Sequence, residues 1–200
     1  MKDRYNFIAP YYNQLAKLVF GKRLKEAKTC FISYLKSKKI LIIGGGDGLD
    51  YQEIQSNLSG EYWELSSSML ELAKENLKKS RLNFYLGNFQ RKKDILFDEV
   101  WFHFVLDTMS DEEIEGILNE IKIVLKEKGK VYLVDFFQPI TSKQKFLHQI
   151  MILFFRLLTS HKRGNIPDYE IILTKNGLVL EKEKDFLKGW VKAQIWAKNN

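Results

Sequence analysis

An aliphatic run followed by closely spaced glycines has the clearest chemical meaning in this 200-residue chain. The run Ile40–Ile43 predicts a buried parallel strand. Four glycines follow it directly: Gly44, Gly45, Gly46 and Gly48. Glycines let the backbone turn tightly and come close to a ligand. Glu64 follows about twenty residues past the first glycine, where nucleotide-binding βαβ units carry the acid that holds a ribose hydroxyl. The chain is therefore predicted to bind an adenosine-type cofactor.

The glycine spacing narrows the choice of cofactor. Gly44, Gly46 and Gly48 form G-x-G-x-G, whereas the dinucleotide fingerprint G-x-G-x-x-G needs its third glycine at position 49. Leu49 occupies that position and cannot give the close helix–strand packing that the glycine allows. The chain also has no G-x-x-x-x-G-K-[ST] run of the P-loop type. A tight turn without a ligand is the alternative explanation of the glycines alone, and Glu64 weighs against it.

Composition sets the broad class. A hydrophobic content of 45% argues against disorder, and 200 residues suit one domain, predicted to span residues 1–200. The single cysteine, Cys30, excludes an internal disulfide and fits a cytoplasmic protein. No uncharged apolar stretch of about 18 residues is present, so no membrane span is predicted. The net charge is +7, but the lysines are scattered among acids, which favours a solvated surface over a nucleic-acid partner.

Apolar strands alternate with helical patterns along most of the chain. Helices are predicted from Gly48 through Leu58, over Ser68–Lys79, and from a capping box at Ser110 through Leu125. The predicted strands are Lys39–Ile43, Glu61–Leu65, Leu82–Leu86, Glu99–Val105, Lys130–Phe136, Val179–Phe186 and Trp190–Trp196. The last two are joined by a turn too short for anything but antiparallel neighbours. The prediction is an α/β fold: a doubly wound, mostly parallel seven-stranded sheet with a C-terminal antiparallel hairpin.

Several segments, in order along the chain, resemble class I S-adenosylmethionine-dependent methyltransferases of the bacterial small-molecule type. The antiparallel ending of the sheet also resembles that family. The segments that carry the resemblance are Ile40–Gly48 (motif I), Trp63–Leu70 (the acid-containing segment), Gly87–Phe89 (the adenine segment), Phe97–Val100, Val124–Val131, and Tyr5 with Ala9–Tyr12 (an N-terminal cover).

The resemblance implies S-adenosyl-L-methionine as the cofactor and residues 1–36 as a helical cover of the site. The cofactor-binding residues that it implies are Tyr11, Gly44, Gly45, Gly46, Gly48, Glu64, Leu65, Met69, Asn88 and Phe89. Two departures could weaken the cofactor site: Ile42 stands where many members have an acid, and Asn88 replaces the usual aspartate. They leave open a non-catalytic binder. A third departure, Glu127-Lys128 in place of the usual proline-glycine, affects only a predicted turn.

His103 is the predicted catalytic residue, acting as a general base. It lies near the carboxyl end of the fourth predicted strand, where a doubly wound sheet opens onto its ligands, and imidazole titrates near neutrality. A histidine that only packs beside the cofactor, or that orients Asp107, is the alternative. Asp135 ends the fifth strand and is interpreted first as a cap or a partner for a loop, with a substrate or metal contact as the alternative. No metal-ligand spacing is present, so no metal is predicted.

The segment Lys143–Arg163 is the main indication of the substrate. Phe146, Ile150, Phe154 and their neighbours are apolar at helical spacing, between basic residues. A helical lid insertion at about 141–168 is predicted, contributing to a pocket for a small acceptor that is apolar, aromatic or lipid-like. An ordinary packed helix and a peripheral membrane contact remain alternatives.

The predicted function is methyl transfer to a small apolar or aromatic acceptor. Two alternatives stay open at this point: an RNA methyltransferase, which the charge would serve, and a non-catalytic cofactor-binding or scaffold protein.

Overall fold

The computed structural model describes residues 20–32, 38–158 and 165–199, except for the side chains of Met151 and of residues 153–158. The helices are α1 (Arg23–Thr29), α2 (Ser67–Asn76), α3 (Asp111–Val124), α4 (Ser142–Leu158) and α5 (Tyr169–Lys175). The strands are β1 (Ile40–Ile43), β2 (Ser59–Glu64), β3 (Arg81–Leu86), β4 (Phe97–His103), β5 (Leu125–Phe136), β6 (Leu178–Phe186) and β7 (Val191–Lys198).

The seven strands form one sheet in the order β3-β2-β1-β4-β5-β7-β6. The first five strands of the chain pair in parallel, and β7 lies antiparallel between β5 and β6. The predicted α/β sheet with its C-terminal antiparallel hairpin is therefore confirmed. Because β1 is central and its neighbours run the same way, the loops after β1, β2 and β4 meet at one edge, the carboxyl edge of the sheet.

Two apolar cores cover the two faces of the sheet. The larger core cluster takes Leu41 and Ile43 from β1 and packs them with α3 and α5. The smaller core cluster takes Ile40 and Ile42 and packs them with α2 and with Tyr51. Every residue of β1 is thus buried, as its uninterrupted aliphatic run predicts for a central parallel strand.

Several boundaries differ from the predictions. The helix after Gly48 is a 3-10 helix, Leu49–Asn57, rather than an α-helix. Helix α2 begins at Ser67 with Ser66 as its N-cap, and β4 ends at His103 rather than at Val105. Strand β5 begins at Leu125, so Glu127 and Lys128 belong to a strand rather than to a turn. The capping box of Ser110 and Glu113 is confirmed by both of its hydrogen bonds.

The first turns of helix α4 are fixed at the carboxyl edge. The Gln144 side chain accepts from the N–H groups of Ile140 and Thr141 and donates to the Leu187 carbonyl in the β6–β7 turn. Phe146 is 63% exposed and Ile150 is 44% exposed, so a large part of each apolar side chain faces water. No helix in the described parts of the chain is long and apolar enough to cross a membrane.

Candidate active site at the carboxyl edge

The loop after β1 is packed too closely for a side chain at three positions, among them Gly48, where a Cβ would lie 2.7 Å from the Leu77 side chain. A Cβ on Gly44, whose φ is +65°, would lie 2.4 Å from the Val105 side chain. A Cβ on Gly45 would lie 2.3 Å from the Tyr62 ring. At Gly46, in contrast, no described atom lies within 4 Å of the Cβ position. The loop is held by protein on one side and open on the other, which makes it a cradle that a ligand can approach closely.

Glu64, the last residue of β2, reaches this loop. One carboxylate oxygen accepts from the Gly46 N–H at 2.9 Å, and the other accepts from the Ser66 N–H at 2.9 Å. Each oxygen has further acceptor capacity. The carboxylate can therefore accept from the hydroxyl groups of a ribose while it keeps both backbone donors.

The other predicted cofactor residues differ in how deeply they are buried near the Glu64 carboxylate. The Gly87 N–H donates to the Glu64 carbonyl at 2.9 Å, which brings the loop after β3 beside the carboxylate. Leu65 is 65% exposed and Asn88 is also exposed. Phe89 is half-buried and packs its ring against the edge of Trp63 at 5.6 Å between centroids. Met69 is buried in α2, so its side chain belongs to the core. Tyr11 lies outside the described residues.

His103 is buried at the end of β4 against two aromatic side chains. Its Nδ1 lies 2.7 Å from the Tyr51 hydroxyl, and its ring stacks on Trp101 at 5.4 Å. Its Nε2 is buried and has no hydrogen-bond partner among the described residues. Burial, with a smaller effect of the Lys28 charge, holds the pKa of His103 well below its usual range. The imidazole is therefore neutral at neutral pH.

Asp135 is fully buried at the end of β5. One of its carboxylate oxygens accepts from the Phe136 N–H at 2.8 Å, and the other accepts from the Asp107 N–H at 3.3 Å. These bonds confirm the interpretation of Asp135 as a strand-end cap that also holds the loop after β4. Burial and the nearby Asp107 carboxylate raise the pKa of Asp135 well above its usual range, against smaller opposing effects of its hydrogen bonds. No three His, Cys, Asp or Glu side chains in the described ranges come together in a way that could hold a metal ion.

Comparison with known proteins gives the family of this arrangement. Residues 40–129, which contain β1 to β4, α3 and the glycine loop, match the family model described as "Methyltransferase domain". This segment is similar to methyltransferase domains. The match confirms the predicted resemblance to S-adenosylmethionine-dependent methyltransferases. Glu64, the glycine cradle and the loop after β3 all lie within the matched segment.

Relatives of known sequence or structure extend this comparison. The chain is 31% identical over 116 residues to "Polyamine aminopropyltransferase 2" of Aquifex aeolicus, a match that covers 56% of this chain and 23% of that relative. The chain thus spans less than a quarter of the length of that protein.

Two solved structures share the fold at low sequence identity. The first is a TehB-like SAM-dependent methyltransferase from Corynebacterium glutamicum, with a TM-score of 0.63 and 16% identity over 98% of this chain and 97% of that one. The second is mitomycin 7-O-methyltransferase, with a TM-score of 0.67 and 20% identity over 89% of this chain and 54% of that one.

Sequence reasoning missed two residues whose side chains hold the glycine loop through its backbone carbonyls. Tyr62 donates to the Gly46 carbonyl at 3.0 Å, and Asn76 donates to the Asp47 carbonyl at 2.9 Å. No local signal identifies these contacts, because each joins residues far apart in the sequence.

Gly45→Ala is expected to weaken binding of S-adenosylhomocysteine at least about tenfold, because the new methyl group would push the loop away from Tyr62. Gly116→Ala in α3 is the matched control, since no described atom lies within 4 Å of its Cβ position. Titration calorimetry of both variants measures the effect. Equal affinities of the two variants would show that the close contact at Gly45 does not shape the cofactor site.

The buried His103 is expected to make folding stability depend on pH. Its folded pKa lies below the ordinary value of 6.5, so only the unfolded chain binds this proton as the pH falls below about 6.5. His103 should therefore cost up to about 1.4 kcal/mol of unfolding free energy for each pH unit below that point. Denaturant unfolding of wild type and of His103→Gln, measured at several pH values from about 7.5 down to about 5, checks this. Identical slopes in the two proteins would contradict the buried neutral imidazole.

Proposed function

We propose that this chain transfers the methyl group of S-adenosylmethionine to a small acceptor that is apolar or aromatic. The observation that carries the proposal is the Glu64 carboxylate against the open glycine cradle, inside a matched methyltransferase domain. When bound, S-adenosylmethionine supplies a methyl group on a positively charged sulfur, which keeps the bonding electron pair as the acceptor atom binds the carbon. The protein has to bind and align the two reactants, which is worth up to about 7–11 kcal/mol of the barrier.

Glu64 and the cradle are proposed to hold the ribose and the amino-acid end of the cofactor. Glu64 accepts from ribose hydroxyls, and the open side of Gly46 lets the ligand come against the backbone. Leu65 is proposed to cover one face of the adenine, because it directly follows Glu64 and exposes most of its side chain. Asn88, exposed in the loop after β3, can donate to and accept from the adenine edge.

Exposed apolar side chains support an apolar or aromatic acceptor. Ile140 is 70% exposed and Phe146 is 63% exposed, and both lie where the chain leaves β5 at the carboxyl edge. Apolar side chains gathered at a ligand-binding edge favour an apolar partner. The structural likeness to mitomycin 7-O-methyltransferase is compatible with an acceptor of this kind. A lid formed by the helical segment at 141–168 is part of the proposal. The side chain of Phe154, which would belong to it, lies outside the described residues.

His103 is the proposed catalytic residue. Its free Nε2 is buried at the end of β4, one residue past the pairing of Phe102 with Ile43, and so lies level with Gly44. A neutral imidazole there can either accept a proton from the acceptor or donate a hydrogen bond to it. The two roles differ in which ring nitrogen carries the hydrogen.

The aminopropyltransferase relative favours a second candidate, aminopropyl transfer. This relative is 31% identical to the chain, more than either of the two solved structures described above, although the match covers only 23% of that protein. A polyamine acceptor is cationic and would need ionised carboxylates at the carboxyl edge. Burial favours the neutral form of one such group, Asp135, so this carboxyl is a poor partner for a cationic acceptor.

An RNA acceptor receives less support from the structure. Lysines across the described surface pair with carboxylates, as in Lys25–Glu53, Lys126–Asp98 and Lys175–Glu115. Paired lysines have less positive potential to offer to phosphates than a continuous basic patch has.

Incubation of the full chain with S-adenosylmethionine and a panel of phenols, aromatic carboxylic acids, polyamines and short RNAs tests the proposal. Mass spectrometry is expected to show the gain of one methyl group on an aromatic small molecule, together with S-adenosylhomocysteine. Modification of a polyamine or of RNA would overturn the proposed acceptor class. Cofactor binding without turnover on any class would favour the non-catalytic binder.

Glu64→Ala should weaken S-adenosylmethionine binding by about 1.5–3 kcal/mol, which is the range for losing a hydrogen bond to a charged group. Glu53→Ala is the control, since Glu53 is an exposed carboxylate that pairs with Lys25 away from the cradle. Calorimetry with S-adenosylmethionine and with NAD measures both variants and wild type. An unchanged affinity in Glu64→Ala would place the ribose elsewhere, and binding of NAD alone would exclude the proposed cofactor role.

A further inference from the structure

The hydrogen bond between Tyr51 and His103 bears on which ring nitrogen carries the histidine proton. The Tyr51 hydroxyl lies 2.7 Å from Nδ1, and both side chains are buried. A neutral imidazole has one N–H and one acceptor nitrogen. If Tyr51 donates to Nδ1, the hydrogen of the ring must be on Nε2. If Nδ1 donates to Tyr51, Nε2 has a lone pair and could act as a base.

The relative strengths of the two donors and the two acceptors separate the arrangements. When Tyr51 donates, the Nε2–H and the lone pairs of the Tyr51 oxygen are left without a partner among the described residues. When Nδ1 donates, the Tyr51 hydroxyl hydrogen and the Nε2 lone pair are both left without a described partner. Each arrangement thus leaves one donor and one acceptor unsatisfied. A phenolic hydroxyl, with an ordinary pKa of about 10, is a stronger donor than a neutral imidazole N–H, and an imidazole nitrogen is a stronger acceptor than a phenolic oxygen. Pairing the stronger donor with the stronger acceptor favours donation by Tyr51. Burial also raises the pKa of Tyr51 well above its usual range, which keeps its hydroxyl hydrogen in place.

We infer that Tyr51 is a positioning residue that fixes the proton of His103 on Nε2, so that His103 offers a hydrogen-bond donor to an oxygen of the acceptor. This inference rests on the proposed function and refines it. A donor at this place holds an oxygen by one lone pair and takes no proton from it. The acceptor that fits is therefore an oxygen nucleophile that is already ionised, such as a phenolate or a carboxylate.

The position of the pair in the fold supports this role. His103 is paired with Val134 at the end of β4, and its neighbour along the chain, Phe104, donates its N–H to the Val134 carbonyl at 2.7 Å. The stacking of the His103 ring on Trp101, at an interplanar angle of 16°, fixes the plane of the imidazole. Tyr51 fixes its rotation within that plane. Together they hold the direction of Nε2, as preorganised catalytic donors require.

The tautomer can be measured in the full chain by ¹⁵N–¹H correlation spectra of the histidine rings. The chain has three histidines, so the missing signals of His103→Gln identify those of His103. If that variant does not fold, His148→Gln and His161→Gln give the assignment by elimination. We expect the wild-type hydrogen on Nε2, and a mixture of tautomers in Tyr51→Phe. A wild-type hydrogen on Nδ1, or a Tyr51→Phe spectrum like wild type, would overturn the inference.

Benzoate tests the role toward the acceptor, with benzyl alcohol as its uncharged control. In the presence of S-adenosylhomocysteine, benzoate is expected to shift the Nε2–H signal more than benzyl alcohol does. His103→Gln, whose amide can donate but cannot act as a base, should retain benzoate binding, whereas His103→Leu should lose at least about tenfold. A shift caused by S-adenosylhomocysteine alone would assign the N–H to the cofactor. That result, or the absence of any shift with benzoate, overturns the acceptor role.

Calorimetry with S-adenosylmethionine on the same samples separates this inference from the proposed function. If the wild-type chain does not bind S-adenosylmethionine, the proposed function is refuted, whichever tautomer is found. Intact cofactor binding with the hydrogen on Nδ1 would refute only the role of Tyr51.

Discussion

The hydrogen bonds of the Glu64 carboxylate hold together the loops that follow two neighbouring strands. Its oxygens accept from Gly46, after β1, and from Ser66, after β2. These N–H groups lie outside the sheet ladder, so losing the carboxylate would leave donors that cost about 1–3 kcal/mol each if they stayed buried. Ser66 is also the N-cap of α2, with its hydroxyl accepting from the Met69 N–H. The glycine cradle, the carboxylate and the start of α2 therefore depend on one another.

The two cores of the domain meet at this cradle. Val105, which lies against Gly44, belongs to the larger core cluster, whereas Tyr62, which lies against Gly45, belongs to the smaller one. The glycine loop therefore contacts side chains from both faces of the sheet. Protein interiors are packed as densely as organic crystals and do not yield easily. The shape of the ligand-binding loop is thus set by side chains on both faces of the sheet, which is why a local change in either core would reach the site.

Much of this architecture could be predicted from the sequence, and the rest could not for identifiable reasons. Aliphatic runs and the short turn before β7 specify the sheet, because burial on both faces and loop length are local properties. The 3-10 form of Leu49–Asn57 escaped prediction, since the apolar spacing that was used is common to both helix types. The contact of Tyr51 with His103 joins residues 52 positions apart, and the clamp of Tyr62 on the cradle joins neighbouring strands. Such pairings follow from strand order, which no single segment encodes.

The charge state of the carboxyl edge bears on the chemistry proposed there. Burial favours the neutral forms of both His103 and Asp135, the ionisable groups that end β4 and β5. Methyl transfer from a cationic sulfur to an ionised oxygen removes both charges as the new bond forms. Such a reaction gains from surroundings of low polarity, because the reactants, and not the transition state, are the species that water would stabilise most. A neutral imidazole that donates one hydrogen bond can orient an anionic oxygen without adding a full countercharge. The burial of these two residues therefore matches an ionised oxygen acceptor better than a neutral hydroxyl that would need a strong base.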